Sequence, residues 1–270
     1  NYNVVVGDEA GTAITTGDNN VAVGYNSLAS EDTGSANTAI GRYALSALNN
    51  DAVSYNTAVG FSAGAAVTTG VLNTLVGGLS GDALTSGNNN VAVGYLALSA
   101  DTLGDRNVAI GNSALTAQNF TSSTDSYNTA VGFTAGASVT TGTQNTLIGG
   151  LAGDAITTGS NNTTLGYAAL SGNTTASNNT AVGHKALLAN TTGTYNVAVG
   201  VSSLAINTTG NYNVAMGGLA LDANTSADSN TAVGYASLTT NTTGSGNTAY
   251  GRDSLAGNTT GSSNTAVGHD

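Results

Sequence analysis

Along this chain a short apolar pattern returns on a fixed period. An Asn is followed by Val or Thr, a mostly small residue, an apolar residue and Gly. The pattern begins at Asn3, Asn20, Asn37, Asn56, Asn73, Asn90, Asn107, Asn128, Asn145, Asn162, Asn179, Asn196, Asn213, Asn230, Asn247 and Asn264. Thirteen of the fifteen spacings are 17 residues; the exceptions, 19 after Asn37 and 21 after Asn107, read as inserted loops. With the Asn as position 1, position 4 is apolar in all sixteen copies and position 2 is always Val or Thr. Two such positions spaced by two and closed by Gly at position 5 predict a very short strand ending in a turn. No apolar spacing of three and four persists, which excludes helix. Residues 1–270 are therefore predicted to form a single repeat domain, an all-β parallel β-solenoid (β-roll) of sixteen 17-residue turns. With strands stacked about 4.8 Å apart, sixteen turns give a rod of roughly 75 Å.

The remaining apolar positions describe the interior. Position 9 is Leu in ten copies and Gly in five (Gly11, Gly64, Gly81, Gly136, Gly153), and those five carry Ile14, Val67, Leu84, Val139 and Ile156 at position 12. Where position 9 is Leu, position 12 is polar, as in Glu31, Asp101, Gln118 and Asn190, with Leu48 the one exception. One cavity per turn is filled from one side or the other, because a close-packed core tolerates neither a void nor surplus volume. Above this lies a four-turn period: Gly78-Leu79, Gly150-Leu151 and Gly218-Leu219 recur at positions 6 and 7, each followed one copy later by Tyr95, Tyr167 or Tyr235.

Position 3 is Ala in twelve copies, and positions 2 and 4 point the opposite way across the strand. A strand apolar on both faces is usually buried on both. One face is expected to line the coil's own core and the other, paved with Ala, to admit a neighbouring chain in a homotrimer. The alternative is a single-chain solenoid with a flat, weakly apolar side.

Composition narrows the functions available. The net charge of −11 with four Lys+Arg leaves no basic stripe for nucleic acid. No apolar run approaches the ~20 residues of a membrane helix, so membrane insertion is not expected. Without Cys there is no disulfide framework and no thiolate metal site. No cofactor is predicted.

The stretches NNVAVGYNSLASEDTGSANTAIGRYAL (residues 19–45) and NTAVGHKALLANTTGTYNVAVG (179–200) resemble the head repeats of trimeric autotransporter adhesins, the YadA-like β-roll. They are also similar to the Asn-Thr-Ala-Val-Gly-Tyr repeats of bacteriophage tail fibres and other large surface proteins. The resemblance implies a left-handed, trimeric, extracellular structure on a cell or virion surface, used for attachment to a host receptor or glycan. It implies no particular ligand. The turn here is longer than the family's usual repeat, and no neck, stalk or anchor is apparent. Uncapped terminal turns are expected either of a fragment of a longer chain or of subunits stacking end to end.

Candidate sites are few. Gly60 to Gly64 match the Gly-x-Ser-x-Gly nucleophile pattern, but the equivalent copy has Thr134 in place of Ser62, and the only histidines are His184 and His269. No enzymatic activity is predicted. The two insertions supply candidate ligand residues, Asn49, Asn50, Asp51 and Tyr55 in one and Phe120, Asp125 and Tyr127 in the other, since binding concentrates in loops on a stiff scaffold. Position 12 creates N-x-Ser/Thr acceptors for glycosylation at Asn173, Asn190, Asn207, Asn224, Asn241 and Asn258. Ladder formation along the coil is the competing account of these Asn residues and of position 1. Rows of Thr and Asn raise a rival function, a monomeric solenoid that binds ice or a carbohydrate surface.

Overall fold

The computed structural model describes residues 2–270. It is an all-β parallel β-solenoid of about sixteen turns, with no helix among the described residues. The chain divides into two compact units between Thr134 and Ala135. In the first, eight three-residue strands, from Val4–Val6 to Thr129–Val131, pair in chain order, parallel and in register. In the second, eight more run from Thr146–Ile148 to Thr265–Val267 in the same way, so that Ala181 lies beside Ala198 and Ala198 beside Ala215.

A 17-residue circuit must bend repeatedly, and the bends sit at fixed positions. In the turn from Asn179, the residues Gly183, Lys185, Leu187 and Tyr195 have φ of 130°, 56°, 52° and 58°. Position 5 admits only Gly: a β-carbon on Gly60 would lie 2.6 Å from the carbonyl carbon of Gly77, one turn on. A left-handed Leu costs about 1–2 kcal/mol. Full burial of its side chain contributes about 1.5–3 kcal/mol, which offsets that strain.

Position 3 is the inward position. From Ala22 to Ala249 it is fully buried whatever occupies it, including Leu75, Leu147 and Thr164. Positions 2 and 4 face outward, with Ile110 38% and Leu165 51% exposed at position 4. This corrects the expectation that the Ala column forms the outer face: within the solenoid the Ala methyls are core, and the larger β-branched residues lie outside. The reason is volume. Opposite a Leu at position 9 the interior has room for little more than a methyl, and where position 3 widens to Leu147, position 9 of the same turn narrows to Gly153. A β-carbon on Gly153 would stand 2.8 Å from Ile156 Cδ1 and 2.9 Å from Leu147 Cδ2, so three positions share the space rather than two.

The volume is also shared between turns, and this accounts for Leu48. Its turn holds both Leu45 and Leu48, fully buried. Leu45 Cδ2 reaches to 3.0 Å from the β-carbon position of Gly64, so the surplus enters the void of the following turn.

Buried polar groups are tied into ladders. Asn196 donates its backbone N–H to Asn179 Oδ1 (3.0 Å), accepts the N–H of Asn213 on its own Oδ1 (2.9 Å), and donates Nδ2–H to the Gly210 carbonyl (2.8 Å). The position 1 Asn thus closes its own turn and bonds the next. Position 16 forms a ladder that the sequence pattern does not announce, because its residue type varies: Asn211 Oδ1 accepts the N–H of Thr194, Asp228 Oδ1 that of Asn211, and Ser245 Oγ that of Asp228. Any short side chain with an acceptor oxygen serves there.

Candidate functional site

The outward face of each unit is centred on the strand residues at positions 2 and 4. Positions 2 and 4 carry no charged side chain in any turn. Position 6, just past the strand, adds Tyr95, Tyr167 and Tyr235, each about half exposed, and position 17, just before it, adds Tyr195 and Tyr212. Tyr195 and Tyr212 stack face to face with centroids 5.2 Å apart, and Tyr167 stacks on His184 at 5.7 Å. At positions 6 and 17 the three arginines of the chain lie over tyrosine rings: Arg42 over Tyr43 (4.6 Å), Arg106 over Tyr127 (5.6 Å) and Arg252 over Tyr235 (5.8 Å). Each unit of this acidic chain therefore presents an apolar face from which its acids are nearly absent.

The two inserted loops lie in the first unit, four turns apart, about 19 Å by strand spacing. Each rests on a buried carboxylate at position 12 of the turn before it, and no other turn has an acid at that position. Glu31 accepts the N–H of Gly34 on Oε1 (2.7 Å) and that of Asn50, in the first loop, on Oε2 (3.3 Å). Asp101 Oδ1 accepts the N–H of Gly104 (3.1 Å) and of Phe120, in the second loop (3.3 Å), while Oδ2 accepts Nε2–H of Gln118 (2.6 Å). Burial holds both carboxyls above their ordinary range, against the opposing pull of these hydrogen bonds.

The candidate loop residues divide. Asn49, Asp51, Tyr55, Asp125 and Tyr127 are exposed, whereas Asn50 is half-buried and donates Nδ2–H to the Thr69 carbonyl (2.9 Å). Asp51 accepts the Thr33 hydroxyl (2.8 Å) and Asp125 pairs with Arg106. Phe120 is not a contact residue: at 6% exposure it is the loop's apolar anchor, a role set by the Asp101 bond to its N–H.

No family model, characterised protein or solved structure matches this chain. The resemblance to adhesin head repeats thus stands on the residues quoted for it, and function rests on the surface itself.

The proposed glycosylation acceptors lie inside. Asn173, Asn190, Asn207, Asn224 and Asn241 are fully buried and Asn258 half-buried. Their Nδ2 groups donate to the carbonyl three residues on, as Asn190 does to Gly193 (2.8 Å), and several also donate to the Asn one turn earlier, as Asn207 does to Asn190 Oδ1 (2.9 Å). A glycan has no room there in the folded chain. Ser62 occupies a left-handed corner with φ 54°, and both histidines are engaged elsewhere, His184 with Tyr167 and His269 with Asp270. Among the described residues, one cluster brings metal-ligating groups together, Asp253, His269 and Asp270, with ligand atoms within 4.8 Å. Arg252 already pairs with Asp253 there (3.0 Å).

Proposed function

We propose that this chain is a non-enzymatic structural solenoid, a segment of an extracellular surface fibre or adhesin head, that associates laterally with further copies of itself, three in the simplest case. The outward sheet face supports this reading. Columns of Val, Thr and Ile, uncharged along every strand, remain in water in a single chain, and parallel sheets are ordinarily covered on both sides. A second copy is the occupant favoured by charge: two chains of −11 repel except where their acids are absent, and each copy carries the same face. Left-handed winding, and attachment to a host receptor or glycan through the exposed residues of the two loops, belong to the same reading.

The test is sedimentation velocity over a wide concentration range, for the wild type and a Val182→Glu/Val199→Glu variant. Both substitutions lie outside the core, so the variant is expected to fold. The expected result is a multimer for the wild type and a monomer for the variant. A wild type that stays monomeric at every concentration overturns the proposal, and thermal hysteresis in that monomer would favour ice binding by its rows of Thr and Asn instead.

A further inference from the structure

Gly78, Gly150 and Gly218 occupy position 6 without a reason inside their own chain. None of them has a positive φ. A β-carbon on Gly78 would stand 3.5 Å from Tyr95 Cδ2, and one on Gly218 would stand 3.5 Å from Tyr235 Cδ2, ordinary contact distances that leave room for Ala. Gly77, next to Gly78, is forced by contrast, with φ 133° and the Gly94 carbonyl oxygen 2.5 Å from its β-carbon position. What the position 6 glycines match is the position 17 residue leading into the same strand. Where position 6 is Gly, that residue is large: Leu72, Gln144 and Tyr212. In the four turns where position 6 is Tyr it is small and polar, Asn19 before Tyr25, Asn89 before Tyr95, Asn161 before Tyr167 and Ser229 before Tyr235. Three turns are large at both positions, and each directly precedes a Gly turn in the chain. Over such a pair of turns the bulk is kept: Tyr55, Leu72 and Phe61 in the first, Tyr127, Gln144 and Phe133 in the second, Tyr195, Tyr212 and Val201 in the third. Val replaces Phe where Tyr replaces Leu or Gln.

Compensation of this kind marks side chains that share one space. Within a chain these two columns do not share one. The strand holds them apart, since positions 1 to 5 alone span about 13 Å. The ring contacts run along the columns, Tyr195 with Tyr212 at position 17, Tyr167 with His184 and Arg252 over Tyr235 at position 6. Position 17 is also left-handed, with φ of 60° at Leu72 and 57° at Tyr212, and these side chains are 50% and 60% exposed, so burial in the single chain does not offset the strain. We infer that the position 17 column of one copy packs against the position 6 column of a neighbouring copy at the same level, the copies lying parallel and related by rotation about the long axis of each unit. The inference rests on the lateral association proposed above, and adds which edges meet, in which direction and at what height. Rotation about the long axis brings two different edges together, and closure of a ring demands that they meet at one level. A two-fold axis across the units would instead set each column against itself. Sliding one copy by a turn would set its Tyr212 against Tyr235 or Val201 of the neighbour and leave the space over Gly218 without a large side chain.

The experiment is site-directed cross-linking of the full chain, which has no Cys of its own. Chains carrying Ser229→Cys and chains carrying Tyr235→Cys are coexpressed and treated with a short bifunctional maleimide. The expected result is an interchain cross-link in the mixture and none with either variant alone. Val201→Cys, at position 6 two turns away and so about 10 Å off the level of Ser229, should give none with Ser229→Cys. Cross-linking in Ser229→Cys alone, or a better yield with position 201 than with position 235, overturns the proposal. A second pair of variants reads the packing itself. Gly218→Leu should leave the dilute chain folded, by circular dichroism, and weaken association about tenfold or more. Adding Tyr212→Ser should restore association, because the residue given up by one copy makes room for the Leu of the next. Wild-type association in Gly218→Leu, or no recovery in the double variant, also overturns it. Sedimentation keeps the two readings apart: a monomeric wild type removes lateral association and the register with it, whereas a multimer with the wrong cross-links overturns the register alone.

Discussion

Leu75 fills the space that Gly64, one turn earlier, leaves open: Leu75 Cδ1 lies 2.6 Å from where a β-carbon on Gly64 would sit. The interior is a continuous volume that neighbouring turns divide between them. Leu75→Ala alone should cost about 2–5 kcal/mol through the cavity it leaves. Gly64→Ala alone should cost about 2 kcal/mol through overpacking and a left-handed Ala. Together they should cost less than the sum by about 1 kcal/mol, because the new methyl enters the vacated space. Urea unfolding of the four proteins checks this, and strict additivity would mean that the two positions occupy separate cavities.

The Asn ladder predicts a large effect from a small change. Asn196→Ala leaves the N–H of Asn213 without its partner, while the carbonyl of Gly210 keeps the Nδ2–H of Asn207 (3.0 Å). A buried unpaired group costs about 1–3 kcal/mol, so a loss of about 2 kcal/mol is expected. Faster amide exchange should follow at Asn213. A loss below about 1 kcal/mol would show that the ladder is incidental to stability.

Thr164 runs the other way. It is the one position 3 residue with a hydroxyl, it is fully buried, and its Oγ1 has no hydrogen-bond partner. Thr164→Ala should raise the unfolding free energy by about 1 kcal/mol, since fewer polar atoms are left unsatisfied. Calorimetry that finds the variant less stable would contradict the placement of this hydroxyl inside an apolar interior.

Glu31 gives the first loop a pH dependence of its own. Its carboxyl is raised by burial first and by neighbouring Asp32 to a lesser degree. A raised folded-state pKa means the native state holds the proton more firmly than the unfolded chain does. The contribution to stability is fully present below the ordinary carboxylate range and is lost as pH rises through the raised value. The difference in melting temperature between Glu31→Gln and wild type should therefore favour the variant increasingly from pH 4 to pH 7. A constant difference over that range would place Glu31 in water.

Much of the fold was legible because the turn repeats sixteen times. The Asn frame, the parallel strands and the exchange between positions 9 and 12 all follow from spacing. The direction of the strand did not, because alternation marks two faces without saying which is inside. That answer lies in volume: where position 3 widens to Leu147, position 9 of the same turn narrows to Gly153, and this exchange is visible in the sequence only when positions 3, 9 and 12 are compared together. The amides of Asn173 to Asn258 match an acceptor motif for reasons of turn chemistry, and only their inward direction separates a ladder from a glycan site. At the loops, exposure of Phe120 was expected from its place in an insertion, whereas the acid beneath it, the one signal that could have marked it as an anchor, stands nineteen residues earlier.

The central claim, that the Ala column is core and the Val column is the surface copies share, meets its most direct test in thiol labelling, since the chain has no Cys. Single variants Ala198→Cys and Val199→Cys should behave oppositely under a maleimide. The first should stay protected at all protein concentrations; the second should label quickly when dilute and progressively more slowly as concentration rises. Rapid labelling at position 198, or a rate at position 199 that does not change with concentration, would contradict the account.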